Sequence, residues 1–317
     1  MTKIHDISFR LGIDLGGTKT EIAAFDFSGI EIYRKRVLTP QHDYDANIRS
    51  IRDLVIEIEQ KFGKNYTIGI GIPGCISQKT GLIKGANSTW LIGKALDKDL
   101  ANAIGKPVRL ANDANCFALS EMMALTERVD EIEGPYEDIQ SVFGVILGTG
   151  VGGGLVLNGQ AIHGANGIAG EWGHNPLPER EIDSLPAPDC YCGRSGCIET
   201  YLSGPAVTQQ YKNLTGKTAQ ATEIADLADQ GDVPALKIIT LYETRLARAL
   251  GSIINVYDPQ VIVLGGGLSK INRLYRTIPE QWGQYVFSDF VETQLLPPHH
   301  GDSSGIRGAA WLWPQNT

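Results

Sequence analysis

With 317 residues, 42% of them hydrophobic and 20% charged, the chain has the material of an ordinary globular protein of one large or two smaller domains. A formal net charge of −8 disfavours nucleic acid as a partner, which would need a basic face to displace counterions from the polyphosphate backbone. No run of roughly 18 apolar residues and no cleavable leader is visible, so a cytoplasmic setting without a membrane partner is expected. In that setting close cysteines are metal ligands or redox groups rather than disulfides.

In chain order, "SFRLGID" (8–14) and "EIAAFDF" (21–27) read as the strands of a hairpin around the glycine turn "LGGTKT". Ile48, Ile51, Val55, Ile58 and Phe62 recur at spacings of three and four, the stripe of an amphipathic helix. A strand at Thr67 to Ile72 stops at "PGC", and "PVRLANDAN" reads as a short strand running into a polar turn. "VFGVILGTGVGGGLVL" (142–157) repeats the strand–glycine–strand form, which points to two related α/β halves. Residues 178–189 form a charged, proline-bearing loop that leads into a cysteine cluster. Ile239, Tyr242, Leu246, Leu250 and Ile253 mark a long helix, and "QVIVLGGGLS" is a buried strand ending in glycines.

Gly16 and Gly17 let the backbone approach an anion, with Thr18, Lys19 and loop amides as donors. Neither the dinucleotide fingerprint nor the Walker A spacing is present. Hairpins use such glycines for conformation alone. The second turn, with Gly148, Thr149, Gly150, Gly152, Gly153 and Gly154, makes the pair a candidate cradle for a nucleotide polyphosphate. Gly265, Gly266 and Gly267 offer a flat surface for a base or ribose. Asn112 and Asp113 fall at a strand end, where open α/β sheets place ligands, although an Asn-Asp pair also serves as a plain turn or cap. In the functional reading Asp113 accepts a substrate hydroxyl proton.

Three of the five cysteines stand in "CYCGRSGCIET" (190–200), and "EWGHNP" supplies His174 sixteen residues before Cys190. His174, Cys190, Cys192 and Cys197 are the donor set of a closed tetrahedral zinc site. The spacings of one and four are not those of a redox pair. Four protein ligands leave no position for an activated water, so the Zn2+ is expected to be structural. Cys75 and Cys116 read as inert core thiols. Glu171 and Glu199 flank the same loop, which would fix both as acceptors for polar ligand groups.

Together "GIDLGGTK", "GIPG", "LANDANC", "LGTGVGGGLV", "GEWGHNP", "CYCGRSGCIETYLSG" and "DPQVIVLGGGLS" resemble the ROK family of sugar kinases, in the actin and hexokinase fold group. The resemblance implies an α/β, two-domain actin/hexokinase-like (ribonuclease H-like) fold with an interdomain cleft. Residues 1–115 would form a small N-terminal domain, joined by a C-terminal helix at about 303–317. Residues 116–302 would form a large domain carrying the zinc loop. ATP is implied on Gly12, Asp14, Gly16, Gly17, Thr18, Lys19 and the later glycine turns, with Mg2+ at its phosphates and Asp14 orienting a metal-bound water or phosphate. Asp113 becomes the catalytic base. Hexose contacts fall on Gly74, Asn87, Asn112, Asp113, Glu171, His174 and Glu199, and a homodimer is expected.

Within the family, "GANSTWL", "ANDANCFALSE" and "GDSSGIRGAAWLWP" are most similar to bacterial fructokinases of the manno(fructo)kinase type. Transfer of the ATP γ-phosphoryl group to the 6-hydroxyl of D-fructose is therefore the leading expectation, with mannose or glucose as further substrates. The alternative is another ROK hexokinase: a glucokinase, or an N-acetylglucosamine or N-acetylmannosamine kinase. The family also contains sugar-responsive regulators with a helix-turn-helix ahead of the core. Here the first phosphate motif begins by residue 12 and the charge is acidic, which opposes that reading. A non-catalytic sugar-binding module would not need Asp113 and both glycine turns.

Overall fold

The computed structural model describes residues 9–86, 88–127, 138–179, 186–301 and 304–313. The first stretch of chain forms β1 (Phe9–Leu15), β2 (Lys19–Phe25), β3 (Glu31–Leu38), α1 (Tyr44–Phe62), β4 (Tyr66–Ile72), β5 (Cys75–Ile76), β6 (Ile83–Lys84), α2 (Leu96–Ile104), β7 (Arg109–Asn112) and α3 (Asp113–Thr126). There follow β8 (Ser141–Leu147), β9 (Val151–Leu157), β10 (Gln160–Ala161), α4 (Glu199–Leu202), α5 (Gly204–Thr215), α6 (Ala221–Asp229) and α7 (Val233–Tyr257). The chain closes with β11 (Val261–Gly265), α8 (Leu274–Trp282), β12 (Gln294–Leu296) and α9 (Ser304–Ala310). Packing groups Met1–Met123, Leu155–Ala169 and Asp302–Thr317 into one unit, and Ala124–Gly154 with Gly170–Gly301 into another. The grouping differs from a boundary after residue 115: most of α3 and the excursion 155–169 go with the first unit.

In the first unit the sheet order is β3-β2-β1-β4-β7, antiparallel from β1 to β3 and parallel across β1, β4 and β7. The central strands "FRLGIDL" and "YTIGIGI" are buried almost throughout, as the middle of such a sheet requires. β3, "EIYRKRVL", is an edge strand whose charged side chains guard its open side, which is why its sequence lacks a strand's usual apolar pattern. The α1 helix starts where Asp43 accepts a hydrogen bond from Ala46 N (2.8 Å) and packs Ile51, Leu54, Val55 and Ile58 into the core. α9 lies against β1 and β4. Contact there is so close that a Cβ on Gly12 would stand 2.0 Å from the Ile306 carbonyl oxygen. Gly12, expected among the ATP residues, is thus a packing glycine.

The second sheet runs β10-β9-β8-β11-β12, with β8, β11 and β12 parallel. β11, "VIVLG", is buried at every residue. The 25-residue α7 begins where Asp232 accepts from Ala235 N at 2.8 Å, and its buried stripe includes Ile239, Tyr242, Leu246 and Leu250. Counted by appearance within each half, both sheets have the order 3-2-1-4-5, so the kinship of the halves is topological. Among the described residues no helix is long and apolar enough to cross a membrane.

Two local expectations are corrected. The polar turn after "PVRL" does not exist: Asn112 ends β7 and Asp113 opens α3. Gly152, Gly153 and Gly154 lie inside β9 rather than in the turn, and Gly153 is there because a Cβ would meet Phe143 and Trp172 at 2.7–2.8 Å.

Candidate active site

In the first unit a cavity of about 470 Å³ is lined by Asp14, Gly16, Gly17, Thr18, Gln41, His42, Ser88, Trp90 and Asp113 among others. It joins the first glycine turn to the head of α3. Lys19, the first residue of β2, is exposed and not among the lining residues. The head of α3 is fixed by a shared donor: Ala114 N is 2.8 Å from both Asn112 Oδ1 and Asp113 Oδ1. Asn112 Nδ2 also donates to the Gly74 carbonyl at 3.2 Å. Gly74 has φ +87°, and a Cβ on it would lie 2.5 Å from Lys84 O, so no other residue fits that turn. Asn87 lies outside the described residues.

Asp14 sits on β1 directly across from Glu21 on β2. Burial, then the charges of Asp113 and Glu21, push its carboxyl from 3.8 up to about 6, with Arg36 pulling the other way. Glu21 is spared because hydrogen bonds from Arg34 and Arg36, both at 2.6 Å, outweigh its own burial and leave it below the ordinary value. Asp14 and Asp113 together form a site of mutually repelling carboxylates, the donor chemistry a divalent cation relieves.

The sign of the Asp14 shift gives a stability prediction. Between about pH 4 and 6 the folded chain holds this proton more tightly than the unfolded chain, so stability is lost as pH rises through that window. Asp14→Asn removes the penalty. Its Tm should exceed the parent's by roughly 2–5 °C at pH 8 and match it near pH 4, read by thermal denaturation without added metal. A variant less stable than the parent at pH 8 contradicts the assignment.

The second unit has a cavity of about 530 Å³ that brings Gly148 and Thr149 together with Gly267. Two of the three glycine turns assigned to ATP therefore share one hollow. Gly204, Pro205, Thr208 and Gln220 to Thr222 also line it, and sequence reading had missed them. These are the N-terminal ends of α5 and α6, whose dipoles suit an anion. Their signals were legible: "SGP" is a Ser cap followed by Pro in the first turn, and "QATE" is a capping box in which Glu223 accepts from Gln220 N at 2.7 Å. Gly265 ends β11, and Gly266, with φ +80°, packs against the Leu147 backbone.

The cysteine loop is folded by its own backbone. Cys190 N donates to Arg194 O at 2.7 Å, Leu177 N donates to Gly196 O at 3.0 Å, and Pro176 bridges Cys197. The donor atoms of His174, Cys190, Cys192 and Cys197 all lie within 4.8 Å of one another. Cys192 Sγ is 3.6 Å from Cys197 Sγ, and His174 Nδ1 is 3.6 Å from Cys190 Sγ. Zinc–sulfur and zinc–nitrogen bonds of about 2.3 and 2.0 Å give tetrahedral edges of about 3.5–3.8 Å, so the set fits zinc. His174 Nε2, 3.0 Å from Tyr191 Oη, is left to fix the ring's orientation. The Arg194 hydrogen bond holds the Cys192 thiol down to about 6, while burial first, then the neighbouring thiols, push Cys197 up to about 12.

This loop is tied to β9. Trp172 Nε1, beside Glu171, donates to Gly152 O at 2.8 Å, and Val151 N donates to Glu199 Oε2 at 2.9 Å. A Cβ on Gly150 would lie 2.6 Å from that same Glu199 oxygen, so the glycine admits the carboxylate. Gly204 N then donates to Gly148 O at 2.8 Å. Within the second unit the metal loop, Glu171, Glu199 and the Gly148–Gly150 turn are one hydrogen-bonded block. Glu171 itself is exposed.

A family model described as the ROK family matches residues 10–316. The chain belongs to the ROK family. Similar relatives of this ROK protein include the N-acetyl-D-glucosamine kinase of Haemophilus influenzae (strain 86-028NP), 40% identical over 311 residues, covering 95% of this chain and 98% of the relative. The N-acetyl-D-glucosamine kinase of Salmonella paratyphi C (strain RKS4594) is 40% identical over 308 residues, with the same coverage of each chain. Among solved structures, the ROK hexokinase of Thermus thermophilus matches with a TM-score of 0.80 at 28% identity, covering 96% of this chain and 97% of that one. The ROK protein thus has the mixed α/β, two-domain fold of the ROK sugar kinases.

Proposed function

We propose that this ROK sugar kinase transfers the γ-phosphoryl group of ATP to the 6-hydroxyl of N-acetyl-D-glucosamine. The observation that carries the reading is the name borne by relatives 37–40% identical over 95% of the chain. Fructose, the leading expectation from sequence, gives way to the alternative weighed beside it. The runs that pointed to fructose lie largely in β7–α3 and α9. α9 packs on β1 and β4, so its sequence reports packing rather than the sugar.

In this reading Asp113 orients the hydroxyl. As the sugar oxygen bonds to phosphorus and the bond to the ADP oxygen breaks, the hydroxyl proton passes to the Asp113 carboxylate. An ordinary Asp, with a pKa near 3.9, takes that proton late, so positioning and charge stabilisation supply most of the rate. Asp14 would hold Mg2+ or its water, and the ion supplies charge neutralisation at the phosphates. Gly16, Gly17 and Thr18 in one unit and Gly148, Thr149 and Gly267 in the other are assigned to ATP. Hexose contacts are assigned to Gly74, Asn112 and Asp113 in the first unit and Glu171, His174 and Glu199 in the second. His174, Cys190, Cys192 and Cys197 would hold a structural Zn2+. A cytoplasmic homodimer, drawn from the family resemblance, completes the reading.

The test is ADP release from ATP and Mg2+ across N-acetyl-D-glucosamine, N-acetyl-D-mannosamine, D-glucose, D-mannose and D-fructose. kcat/KM is expected to be highest for N-acetyl-D-glucosamine by about tenfold or more. A maximum at fructose would restore the first expectation.

A further inference from the structure

His174 carries two tasks that draw on one proton. Its Nδ1 faces the thiols, 3.6 Å from Cys190 Sγ, so in the zinc-bound chain that nitrogen is a ligand and the ring's one N–H lies on Nε2. A hexose contact from His174 must therefore come from Nε2. That atom already has a partner. Tyr191 Oη stands 3.0 Å from it, and the two rings meet edge to face with centroids 5.2 Å apart at 85°. A phenol oxygen accepting from the imidazole N–H does what a sugar hydroxyl would do there, and one N–H serves one of them at a time.

The contact is placed to open. Tyr191 is 81% exposed, so most of its ring meets solvent rather than protein. Its backbone, by contrast, is fixed between Cys190 and Cys192, in a turn closed by Gly193 N donating to Cys190 O at 3.0 Å and Cys190 N donating to Arg194 O at 2.7 Å. Rotation of one exposed side chain, a fast event, frees Nε2 without moving a metal donor. We propose that Tyr191 is a self-occluding latch: its hydroxyl holds the place of a sugar hydroxyl on His174 Nε2 and is displaced when the hexose binds. This rests on His174 contacting the hexose, as in the sugar-kinase reading above, and adds a residue that opposes binding. Before the sugar arrives the bond keeps the imidazole aimed, and afterwards the sugar takes over that role. Chains with the latch closed are not competent to bind, so the apparent affinity falls by the fraction that is open. A hydrogen bond of ordinary net strength keeps most chains closed, which weakens sugar binding about three- to tenfold.

The experiment measures hexose Kd by titration calorimetry without nucleotide, together with steady-state kinetics, in the parent and Tyr191→Phe. Phenylalanine keeps the ring edge on His174 and removes only the hydroxyl, and at so exposed a position folding is not at stake. Tyr191→Phe should bind the sugar about three- to tenfold more tightly, with KM for the sugar falling in step. Its kcat and its KM for ATP should stay within about twofold, because the latch has left before transfer. A tyrosine that merely supported the imidazole or the sugar would move the affinity the other way. Metal analysis should find one zinc per chain in both proteins. An unchanged or weaker Kd in the variant, or loss of its zinc, overturns the latch and leaves the substrate reading standing. The sugar titrated is whichever of the five hexoses the parent phosphorylates best. If that is not N-acetyl-D-glucosamine the substrate reading falls, and the same Kd comparison still decides the latch.

Discussion

Asp113→Asn should lower kcat by about 10²- to 10⁴-fold, the span over which a positioned general base contributes. KM for ATP should stay within about threefold, because removing the base acts on the reacting hydroxyl rather than on nucleotide binding. The fold should survive. The Asp113 side chain is exposed at the first position of α3, and the shared donor Ala114 N keeps its second partner in Asn112 Oδ1. Loss of a carboxylate from a helix N-terminus costs about 0.3–1 kcal/mol, little against whole-domain stability. Steady-state kinetics with a thermal melt on the same preparation separates the two effects. Near-normal turnover with an unchanged melt would remove Asp113 from the base role.

Cys192→Ala should abolish zinc binding and lower Tm by on the order of 10 °C. Structural zinc in small peptides is worth about 10–16 kcal/mol, of which a loop already folded by its backbone realises a part. Metal analysis of the parent should find one zinc per chain. The kinetic consequence follows from what the loop carries. His174 is one of the four donors that would hold the zinc, Glu171 begins the turn that holds it, and Glu199 follows Cys197 by two residues while its carboxylate rests on Val151 N. KM for the sugar should therefore rise about tenfold. KM for ATP should rise less, because the α6 end and Gly267 lie outside that hydrogen-bonded block. A variant that keeps its zinc, or that loses both affinities equally, contradicts this account.

Much of this was legible in the sequence, for identifiable reasons. Glycine turns, a long amphipathic helix and a His-Cys-Cys-Cys spacing are local signals, and β1, β2, β4, β8, β9, β11, α1, α7 and the metal donor set all follow from them. Tertiary packing supplied the rest. Gly12 sits in a phosphate-like motif, yet its missing Cβ serves the approach of a helix nearly 300 residues away in sequence. Gly153 likewise answers to Trp172 and Phe143, not to an anion. β3 was hidden by the charges that guard an edge. The bond from Val151 N to Glu199 spans 48 residues and no spacing rule announces it. Sugar choice was least legible, since the runs most similar to fructokinases lie largely in β7–α3 and α9, whose sequences also answer to packing.

The most direct test is a competition. Equimolar N-acetyl-D-glucosamine and D-fructose are given limiting ATP with Mg2+, and the phosphorylated sugars are resolved by ³¹P NMR and mass spectrometry. The product ratio then equals the ratio of kcat/KM values at equal sugar concentrations. N-acetyl-D-glucosamine 6-phosphate should dominate by about tenfold or more. Fructose 6-phosphate as the main product would contradict it.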